Sequence, residues 1–340
     1  MSVKQKKANY FKAPVFAVAP MIDWTDTHCR VFHRQLTRRA LLYTEMIVAD
    51  AVIRGDRDRL LGYEPVEHPL ALQLGGSDPS KLAEAVKIAA DYGYDEINLN
   101  VGCPSDRVQS GTFGACLMRS PETVERCVAA MKAVSPVPVT VKCRIGVDDQ
   151  DPHAVLPDFL ARMAAAGADA IWIHARKAWL QGLSPKENRD VPPLDYELVH
   201  RLKRENPELF LGINGGIQTI EAALAHLQVM DGVMLGRAAY NNATLLTEVD
   251  AAVYGAEERQ PDWEAVRDAM MVHAARHIAA GGRLIHITRH MVGLFQGFAG
   301  ARRYRQILST EGARPGAGPE VIAAAFAAVD TEAGPKRAAG

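Results

Sequence analysis

The sequence predicts an α/β protein built as a (β/α)8 or TIM barrel, followed by a small C-terminal helical domain. Eight short apolar segments recur between residues 15 and 237, and helical patterns fill most intervals between them. Near-continuous apolar segments are typical of parallel strands that are buried on both faces. A doubly wound open sheet is the alternative, but it would show fewer strands and a GxGxxG turn after the first strand, which this sequence lacks.

The strands and helices alternate in the order that a barrel requires. The predicted strands are Val15–Met21, Leu41–Met46, Leu70–Gly76, Glu96–Cys103, Val139–Gly146, Ala170–Arg176, Phe210–Gly216 and Gly232–Arg237. The predicted helices among them are Ser80–Tyr92, Pro121–Val134, Val155–Ala166, Asp195–Glu205, Thr219–Leu227 and Ala239–Val253. Asp78 and Pro79 form a start signal for the first of these helices, and Gly167 forms a stop signal for the third.

The strand pattern ends after residue 255, which predicts a domain boundary. We expect the barrel to occupy residues 1–257 and a helical domain to occupy 258–330, with helices at Trp263–Ala280, Arg283–Leu308 and Pro319–Ala328. The tail, residues 331–340, is expected to be disordered.

Composition limits the class of protein. Lys plus Arg is 39 and Asp plus Glu is 40, so the formal charge is −1. This balance argues against a uniformly basic nucleic-acid binder but not against a local basic face. Five cysteines without a CxxC pair favour a reducing compartment over a disulfide framework. Because the N-terminus is basic and polar and lacks an apolar core, we expect no signal peptide, and no apolar stretch of about 18 residues predicts a membrane span. A cytoplasmic monomer is the expectation.

Polar residues at the strand ends predict a ligand site, because barrel enzymes place their working residues there. Burying such groups without partners would cost free energy, which a ligand would offset. Gly215-Gly216 and Gly236-Arg237, after the last two strands, predict a phosphate site in which backbone N–H groups approach an anion and Arg237 adds charge. Two ordinary tight turns are the alternative.

Lys142 lies within an apolar strand, where a charged side chain needs a polar or anionic partner. Gln73 and His174 are expected to face the same barrel mouth. A flavin fits this set, since its ring carries acceptors along one edge and a cation near N1 stabilises the reduced anion. The alternative is a structural ion pair of Lys142 with Glu45 or Glu96.

Cys103 differs from the other cysteines because it follows a strand end, in the loop Gly102-Cys103-Pro104-Ser105. A thiol with an ordinary pKa of about 8.5 is mostly protonated at neutral pH, so Cys103 can serve as a general acid or a nucleophile. The other four cysteines are interpreted as small buried hydrophobic residues. No metal site is expected, since the histidines are scattered along the chain.

These motifs resemble those of the tRNA-dihydrouridine synthases, and in particular their A subfamily. The resemblance runs from about residue 14 to about residue 308, over the strings APMIDWTD, YTEM, LQLGGSDP, INLNVGCPSDRVQSGTFGACLM, VTVKCRIGVDD, IHARKAWLQGLSPKENR, INGGI, GVMLGRAAY and HMVGLFQGFAGAR. The NVGCPS, KENR and HMVGLFQGFAGAR segments are the most specific. No catalytic position departs from the family pattern.

The resemblance implies an enzyme that uses FMN, reduced by NADPH, to reduce the C5=C6 bond of uridine in the D-loop of tRNA, at positions 20 and 20a. It implies hydride transfer from flavin N5 to C6 and protonation of C5 by Cys103. It implies that Asn100 contacts the flipped uridine or the flavin edge. The residues that it implies for FMN are Pro20, Met21, Gln73, Lys142, His174, Asn214, Gly215, Gly216, Gly236 and Arg237.

A basic segment near the C-terminus agrees with an RNA substrate. Between Arg267 and Leu308 there are seven arginines and one acidic residue, Asp268. Such a one-sided segment suits contact with phosphates, whereas a solvated helix face is the alternative. Arg302 and Arg305 are chosen as tRNA contacts on the helical domain, and Lys186 and Arg189 on the loop after the sixth strand.

Two other functions remain open from the sequence. One is an FMN-dependent barrel oxidoreductase that acts on a free small molecule, of the dihydroorotate type, which would have no need of an arginine-rich helical domain. The other is a barrel that binds RNA without catalysis. Bound flavin that NADPH reduces would exclude the latter.

Overall fold

The computed structural model describes residues 14–104 and 113–335. The chain divides into two compact units. The first consists of the chain up to Ile22 together with Leu41–Gly236, and the second consists of Asp23–Ala40 together with the chain from Arg237 onward. We expected a single boundary, between residues 257 and 258. The observed units are not continuous in sequence, because Asp23–Ala40, which follows the first strand, packs with the C-terminal helices and belongs to the second unit.

The first unit contains a closed barrel of eight parallel strands, which confirms the predicted fold. Each strand pairs with its neighbour in sequence, and β1 pairs with β8 to close the barrel. The strands are β1 Val15–Val18, β2 Leu41–Val48, β3 Leu70–Gly75, β4 Glu96–Val101, β5 Val139–Arg144, β6 Ala170–His174, β7 Leu211–Asn214 and β8 Gly232–Leu235.

Helices connect these strands and form most of the second unit. In chain order they are α1 Thr27–Leu36, α2 Ala49–Arg54, α3 Arg57–Leu61, α4 Pro79–Ala90, α5 Pro121–Val134, α6 Pro152–Ala165, α7 Tyr196–Glu205, α8 Ile220–Leu227, α9 Arg237–Asn241, α10 Leu246–Tyr254, α11 Trp263–Ala279, α12 Ile285–Met291, α13 Ala301–Gln306 and α14 Glu320–Phe326. Helices α1, α2 and α3 were not predicted from the sequence. No helix in the described part of the chain is long and apolar enough to cross a membrane.

Local side-chain caps begin several of these helices. Asp78 accepts hydrogen bonds from the backbone N–H groups of Ser80 and Lys81 at the start of α4, as predicted. Asp151 and Thr219 cap α6 and α8 in the same way. These caps satisfy N–H groups that have no partner within a helix, so they fix where each helix begins.

Alternating strand residues form the barrel interior. Ala17, Tyr43, Ala71, Trp172 and Met234 belong to one buried cluster, which identifies the inward-facing side of their strands. Trp172 is fully buried, and it fills the space that Gly212 and Gly232 leave on the neighbouring strands. A Cβ atom added at Gly212 would lie 2.2 Å from Cε3 of Trp172. The interior at this level is therefore closely packed around one indole ring.

The second unit departs from the predicted helices. The segment Arg283–Leu308, predicted as one helix, is divided into α12 and α13 by the glycines between them. Gly297 and Gly300 have φ angles of 87° and 86°, which an α-helix cannot contain. Gly293 packs against the backbone carbonyls of Tyr240 and Asn241, so a side chain there would clash.

Two short strands also lie in the second unit, where the sequence indicated none. Strand β9, Phe298–Ala299, pairs in antiparallel orientation with β10, Asp330–Pro335. Residues 331–335 thus lie in a strand where a disordered tail was expected, and within β10 Asp330 pairs with Ala299 and Pro335 pairs with Phe298. Residues 336–340 lie outside the described residues.

The contact between Gly212 and Trp172 predicts an interaction between two substitutions. We expect Gly212→Ala to destabilise the protein by about 1–3 kcal/mol, because the added methyl group overlaps the indole ring. Trp172→Leu should itself be destabilising through the cavity it leaves. Urea denaturation of the double variant Gly212→Ala, Trp172→Leu should show a smaller loss of stability than the sum of the single losses. Additive losses would contradict the assigned contact.

Candidate active site

The carboxyl ends of strands β3 to β7 carry polar side chains on the inward face of the barrel. Strand pairing places Asn100 beside Lys142, Arg144 beside His174, and His174 beside Asn214. Residues two positions apart share a strand face, so His174 lies directly above the buried Trp172. The sequence predicted that Gln73, Lys142 and His174 face one barrel mouth, and this register supports that prediction for Lys142 and His174.

Buried amide groups form a hydrogen-bonded chain beneath the loop that carries Cys103. Gln73 Nε2 donates to Asn98 Oδ1 at 2.8 Å, and Asn100 Nδ2 donates to Gln73 Oε1 at 2.7 Å. Asn100 Oδ1 in turn accepts from the backbone N–H groups of Gly102 and Cys103, at 3.1 and 3.0 Å. Asn98 was given no role in the prediction from sequence, and Gln73 links it to Asn100. This series of hydrogen bonds fixes the backbone at Cys103 relative to strand β3.

Lys142 makes no ion pair with either glutamate that the sequence analysis named. Its Nζ donates to Asn214 Oδ1 at 3.1 Å, and Asn214 Nδ2 donates to the Met234 carbonyl at 2.7 Å. Glu96 lies deeper in the barrel, where Tyr43 and Thr140 donate to its carboxylate. Burial, with a contribution from Arg144, lowers the pKa of Lys142 from 10.5 to about 8.

Several positive groups surround Lys142 without compensating carboxylates. Lys142, Arg144 and Arg176 form no ion pair with an acidic side chain within residues 14–104 and 113–335. Burial and the charges of Arg144 and Lys142 hold the pKa of His174 well below its usual value, so its imidazole is neutral. The buried Nε2 atom of His174 has no hydrogen-bond partner among the described residues. An anionic ligand would satisfy both the charges and this nitrogen.

Two glycines after β7 form a narrow turn next to His174. Gly215 and Gly216 have φ angles of 110° and 71°, in the left-handed region that favours glycine. A Cβ atom added at Gly215 would lie 2.5 Å from His174 Cδ2, and one at Gly216 would lie 2.5 Å from Leu194 Cδ1. Only glycine fits at either position, because His174 and Leu194 fill the space that a Cβ atom would need. The role of this turn in phosphate binding stays a prediction.

The remaining residues of the predicted phosphate and flavin site lie at the ends of β1 and β8. Pro20 and Met21 follow β1 and are half-buried, and Met21 Sδ lies 3.4 Å from the position of a Cβ atom at Gly236. Arg237, the next residue, is the first residue of α9 in the second unit. The role of its guanidinium group stays a prediction.

Cys103 lies immediately beyond β4, and its side chain is partly exposed. Its carbonyl accepts from the Ala115 N–H at 2.9 Å, and Arg144 Nε donates to the preceding carbonyl, that of Gly102, at 3.2 Å. Lys142 and Arg144 are both close enough to interact electrostatically with the Cys103 thiol. Ser105, the last residue of the predicted loop, lies outside the described residues.

The predicted RNA-contact residues are distributed over both units. In the first unit, Lys186 is exposed and Arg189 is half-buried, next to the fully buried Asn188. In the second, Arg302 and Arg305 are exposed on α13, and neither forms an ion pair within the described residues.

Other arginines of the basic segment are already paired. Arg267 pairs with Asp268, Arg289 pairs with Asp26, and Arg303 pairs with Glu311. Seven arginines and Asp268 give this segment a net charge of +6, and Asp26 and Glu311, which lie outside it, neutralise two of these charges. Arg302 and Arg305 thus remain available on the surface of α13.

The sequence analysis missed a histidine cluster in the second unit. His273 and His277 lie one turn apart on α11, and each approaches a further histidine. His28 Nδ1 lies 2.9 Å from His273 Nε2, and His277 Nε2 lies 3.1 Å from His286 Nδ1. Burial lowers the pKa of His28 to about 4. No group of three or more His, Cys, Asp or Glu side chains in the described residues is placed to hold a metal ion.

The fold and this mouth define a barrel protein with a cationic, glycine-lined ligand site and a cysteine at its rim. The sequence model of the dihydrouridine synthase (Dus) family matches residues 17–329. The chain therefore belongs to the dihydrouridine synthase family.

Relatives of this chain match over nearly their whole lengths. A protein of Xanthomonas campestris pv. campestris named tRNA-dihydrouridine(20/20a) synthase is 56% identical over 327 residues, covering 96% of this chain and 97% of that protein. A protein of the same name from Escherichia coli K12 is 55% identical over 308 residues, covering 90% of this chain and 89% of that protein. Among solved structures, morphinone reductase shares the fold, with a TM-score of 0.50 and 14% identity over 74% of this chain and 88% of that one.

The environment of Lys142 predicts a pH signature in stability. Because its pKa falls from 10.5 to about 8 on folding, the unfolded chain holds a proton between these pH values that the folded chain has released. The contribution of Lys142 to the free energy of unfolding therefore increases as the pH rises from 8 to 10.5. Urea denaturation of ligand-free protein should show wild type gaining stability relative to Lys142→Met as pH rises from 8 to 10.5. A difference that is independent of pH would contradict the lowered pKa.

Proposed function

We propose that this protein reduces the C5=C6 bond of uridine in the D-loop of tRNA, at positions 20 and 20a, with FMN as cofactor and NADPH as reductant. The observation that carries the proposal is the similarity to relatives named tRNA-dihydrouridine(20/20a) synthase, at 56% identity across 96% of this chain. The cationic mouth with a cysteine at its rim supports the same reaction.

The donors in the barrel mouth fit FMN. The buried, unpartnered Nε2 of His174 and the glycine turn at Gly215-Gly216 suit a phosphate, and the amino group of Lys142 suits the acceptor edge of a flavin ring. Gln73 and Asn214 hold this lysine and the neighbouring amides in place. When bound, FMN supplies a hydride from N5 to C6 of uracil after reduction by NADPH. Pro20, Met21, Gly236 and Arg237 complete the proposed set.

Cys103 supplies the proton to C5 of the substrate. The amino group of Lys142 and the guanidinium group of Arg144 lie close enough to interact electrostatically with the sulfur that gives up this proton. The hydrogen bonds that the backbone N–H groups of Gly102 and Cys103 donate to Asn100 fix the position of the Cys103 backbone at the strand ends. Solvent then returns a proton to the sulfur, since the side chain is partly exposed.

Asn100 positions Cys103 in this arrangement. The sequence analysis assigned it to contact with the uridine or the flavin edge. In the structure its amide oxygen accepts two backbone N–H groups, and its amide nitrogen donates to Gln73. A direct contact of Asn100 with a ligand stays a prediction.

The tRNA must present its uridine outside the base stack, because a stacked base cannot reach the interior of a barrel mouth. Unstacking costs least in a loop, which agrees with a D-loop target. Arg302 and Arg305 on the second unit, and Lys186 and Arg189 on the first, are proposed to contact RNA phosphates. No partner protein is needed for this scheme, and a monomer remains the expectation.

The activity is tested with unmodified tRNA transcript, purified protein, FMN and NADPH. Mass spectrometry of digested nucleosides should show dihydrouridine, and fragment mapping should place it at positions 20 and 20a. Cells that lack the protein should lack dihydrouridine at these positions. Turnover of dihydroorotate, with none of the tRNA uridines reduced, would instead establish the small-molecule alternative.

Substitution of the proposed proton donor should separate the two half-reactions. Cys103→Ala should slow dihydrouridine formation by about 10²–10⁴-fold, because general acid catalysis typically contributes that much. Reduction of the bound flavin by NADPH, followed by its absorbance, should be unchanged. Cys116→Ala is the matched control, since Cys116 is also partly exposed but donates to the carbonyl of Phe113. Equal rates of dihydrouridine formation for wild type and Cys103→Ala would show that Cys103 is not the proton donor.

The arginines of α13 should contribute salt-dependent affinity for tRNA. Replacing Arg302 and Arg305 with Ala should weaken binding and lower the slope of log K against log salt by about 0.7–0.9 for each lost phosphate contact. Arg303→Ala is the control on the same helix, because its guanidinium group pairs with Glu311. Filter binding at several salt concentrations measures both quantities. An unchanged slope in the double variant would show that neither arginine contacts a phosphate.

A further inference from the structure

An exposed tryptophan lies on the loop that follows β6. Trp179 is 42% exposed, and the other large hydrophobic side chains exposed to this degree in the described residues are aliphatic. Leaving an indole ring in water forfeits the free energy of burying it. Such a ring on a loop at the active end of a barrel is therefore a candidate contact for a ligand.

The backbone of Trp179 is fixed from below by Asn188, whose side chain is fully buried. Asn188 Oδ1 accepts from the Trp179 N–H at 2.7 Å, and Asn188 Nδ2 donates to the Trp179 carbonyl at 2.8 Å. Asn188 Nδ2 also lies 3.1 Å from the Leu183 carbonyl, which closes the loop upon itself. The ring is thus presented to solvent from a rigid base, and little conformational entropy is lost when a ligand binds it.

Arg144 joins this loop to the one that carries Cys103. Its Nε donates to the Gly102 carbonyl at 3.2 Å, while its Nη1 donates to the carbonyls of Lys177 and Asn188, at 3.2 and 2.9 Å. One buried guanidinium group therefore contacts the residue before Cys103 and two residues that flank Trp179. This places the Trp179 loop beside Cys103 at the rim of the barrel.

The loop that carries the ring holds four basic side chains and two acidic ones, Glu187 and Asp190. Lys177 Nζ lies 5.4 Å from the centroid of the Trp179 ring, within the range of a cation–π interaction. Arg176, Lys186 and Arg189 lie on the same loop, and Lys186 is exposed. An exposed aromatic ring among cations is the combination that binds single-stranded nucleic acid, where bases stack on the ring and phosphates contact the cations.

We propose that the indole of Trp179 stacks on an unpaired base of the tRNA next to the target uridine, while Lys177 contacts the adjoining phosphate. This inference rests on the proposed function and adds to it a specific contact outside the uridine pocket. Extruding the uridine leaves its neighbours without a stacking partner. The indole replaces that partner, which lowers the free energy of the extruded state. Asn188 and Arg144 are positioning residues that hold the ring at the rim.

The test compares three variants for binding of unmodified tRNA transcript. Trp179→Ala should raise the dissociation constant by about 10- to 100-fold, because stacking of one base on an aromatic ring contributes about that much. Trp179→Phe should retain most of the affinity, since a phenyl ring still offers a stacking face. Val191→Ala, which removes an exposed aliphatic side chain at the end of the same loop, should bind as wild type does.

Two further readouts separate this contact from a structural role. Flavin content and the rate of flavin reduction by NADPH should be equal in all three variants and wild type. The tRNA-induced quenching of tryptophan fluorescence should be larger in wild type than in Trp179→Phe, since stacking quenches the indole directly.

The outcomes distinguish this inference from the proposed function. Equal tRNA affinity in Trp179→Ala and wild type would overturn the inference, including the case in which Trp179 serves a protein partner. Loss of flavin from Trp179→Ala would also overturn it, because the ring would then act on the cofactor site. If wild type binds tRNA through Trp179 but forms no dihydrouridine, the proposed function fails while the stacking contact stands.

Discussion

The site depends on positive charge that is buried in the barrel mouth without a carboxylate to balance it. Lys142 and Arg144 project from alternate positions of β5, and the described residues pair neither with an acidic side chain. Desolvation of these groups destabilises the folded chain, as the lowered pKa of Lys142 shows. The protein offsets the cost with neutral acceptors, namely the amide oxygen of Asn214 and the carbonyls of Gly102 and Asn188. Neutral acceptors leave the positive charge available to a ligand.

The same cations connect the cofactor site, the proton donor and the rim. Arg144 holds the Gly102 carbonyl before Cys103 and the carbonyls beside Trp179, so one side chain sets the spacing of two loops. Its charge, with that of Lys142, acts on the thiol as well. A barrel permits this arrangement because parallel strands bring their carboxyl ends to one face. Residues from β4, β5 and β6 thereby become neighbours despite large separations in sequence.

Hydrophobic periodicity was sufficient for the barrel and for most of its polar mouth. All eight strands were found because they are apolar and bounded by turns, and Gln73, Lys142 and His174 were found because they interrupt such segments. Periodicity did not distinguish a ligand-binding amide from a supporting one, so Asn98 was given no role, and the ligand contact of Asn100 was an implication of the family resemblance. It also failed for Arg283–Leu308, where closely spaced glycines bend the backbone, and for β10, whose pairing with β9 is a long-range contact.

The sequence by itself determined the closed eight-stranded barrel, the identity of its strand ends and, through resemblance, the family. These follow from local patterns and motifs, which consist of residues that are close together in sequence. Only the tertiary structure decided the partner of Lys142, the unsatisfied nitrogen of His174, the pairing of individual arginines and the support of Trp179 by Asn188. Each of these depends on which side chains meet across strands and loops, and the free energy of a buried polar group is set by those neighbours alone.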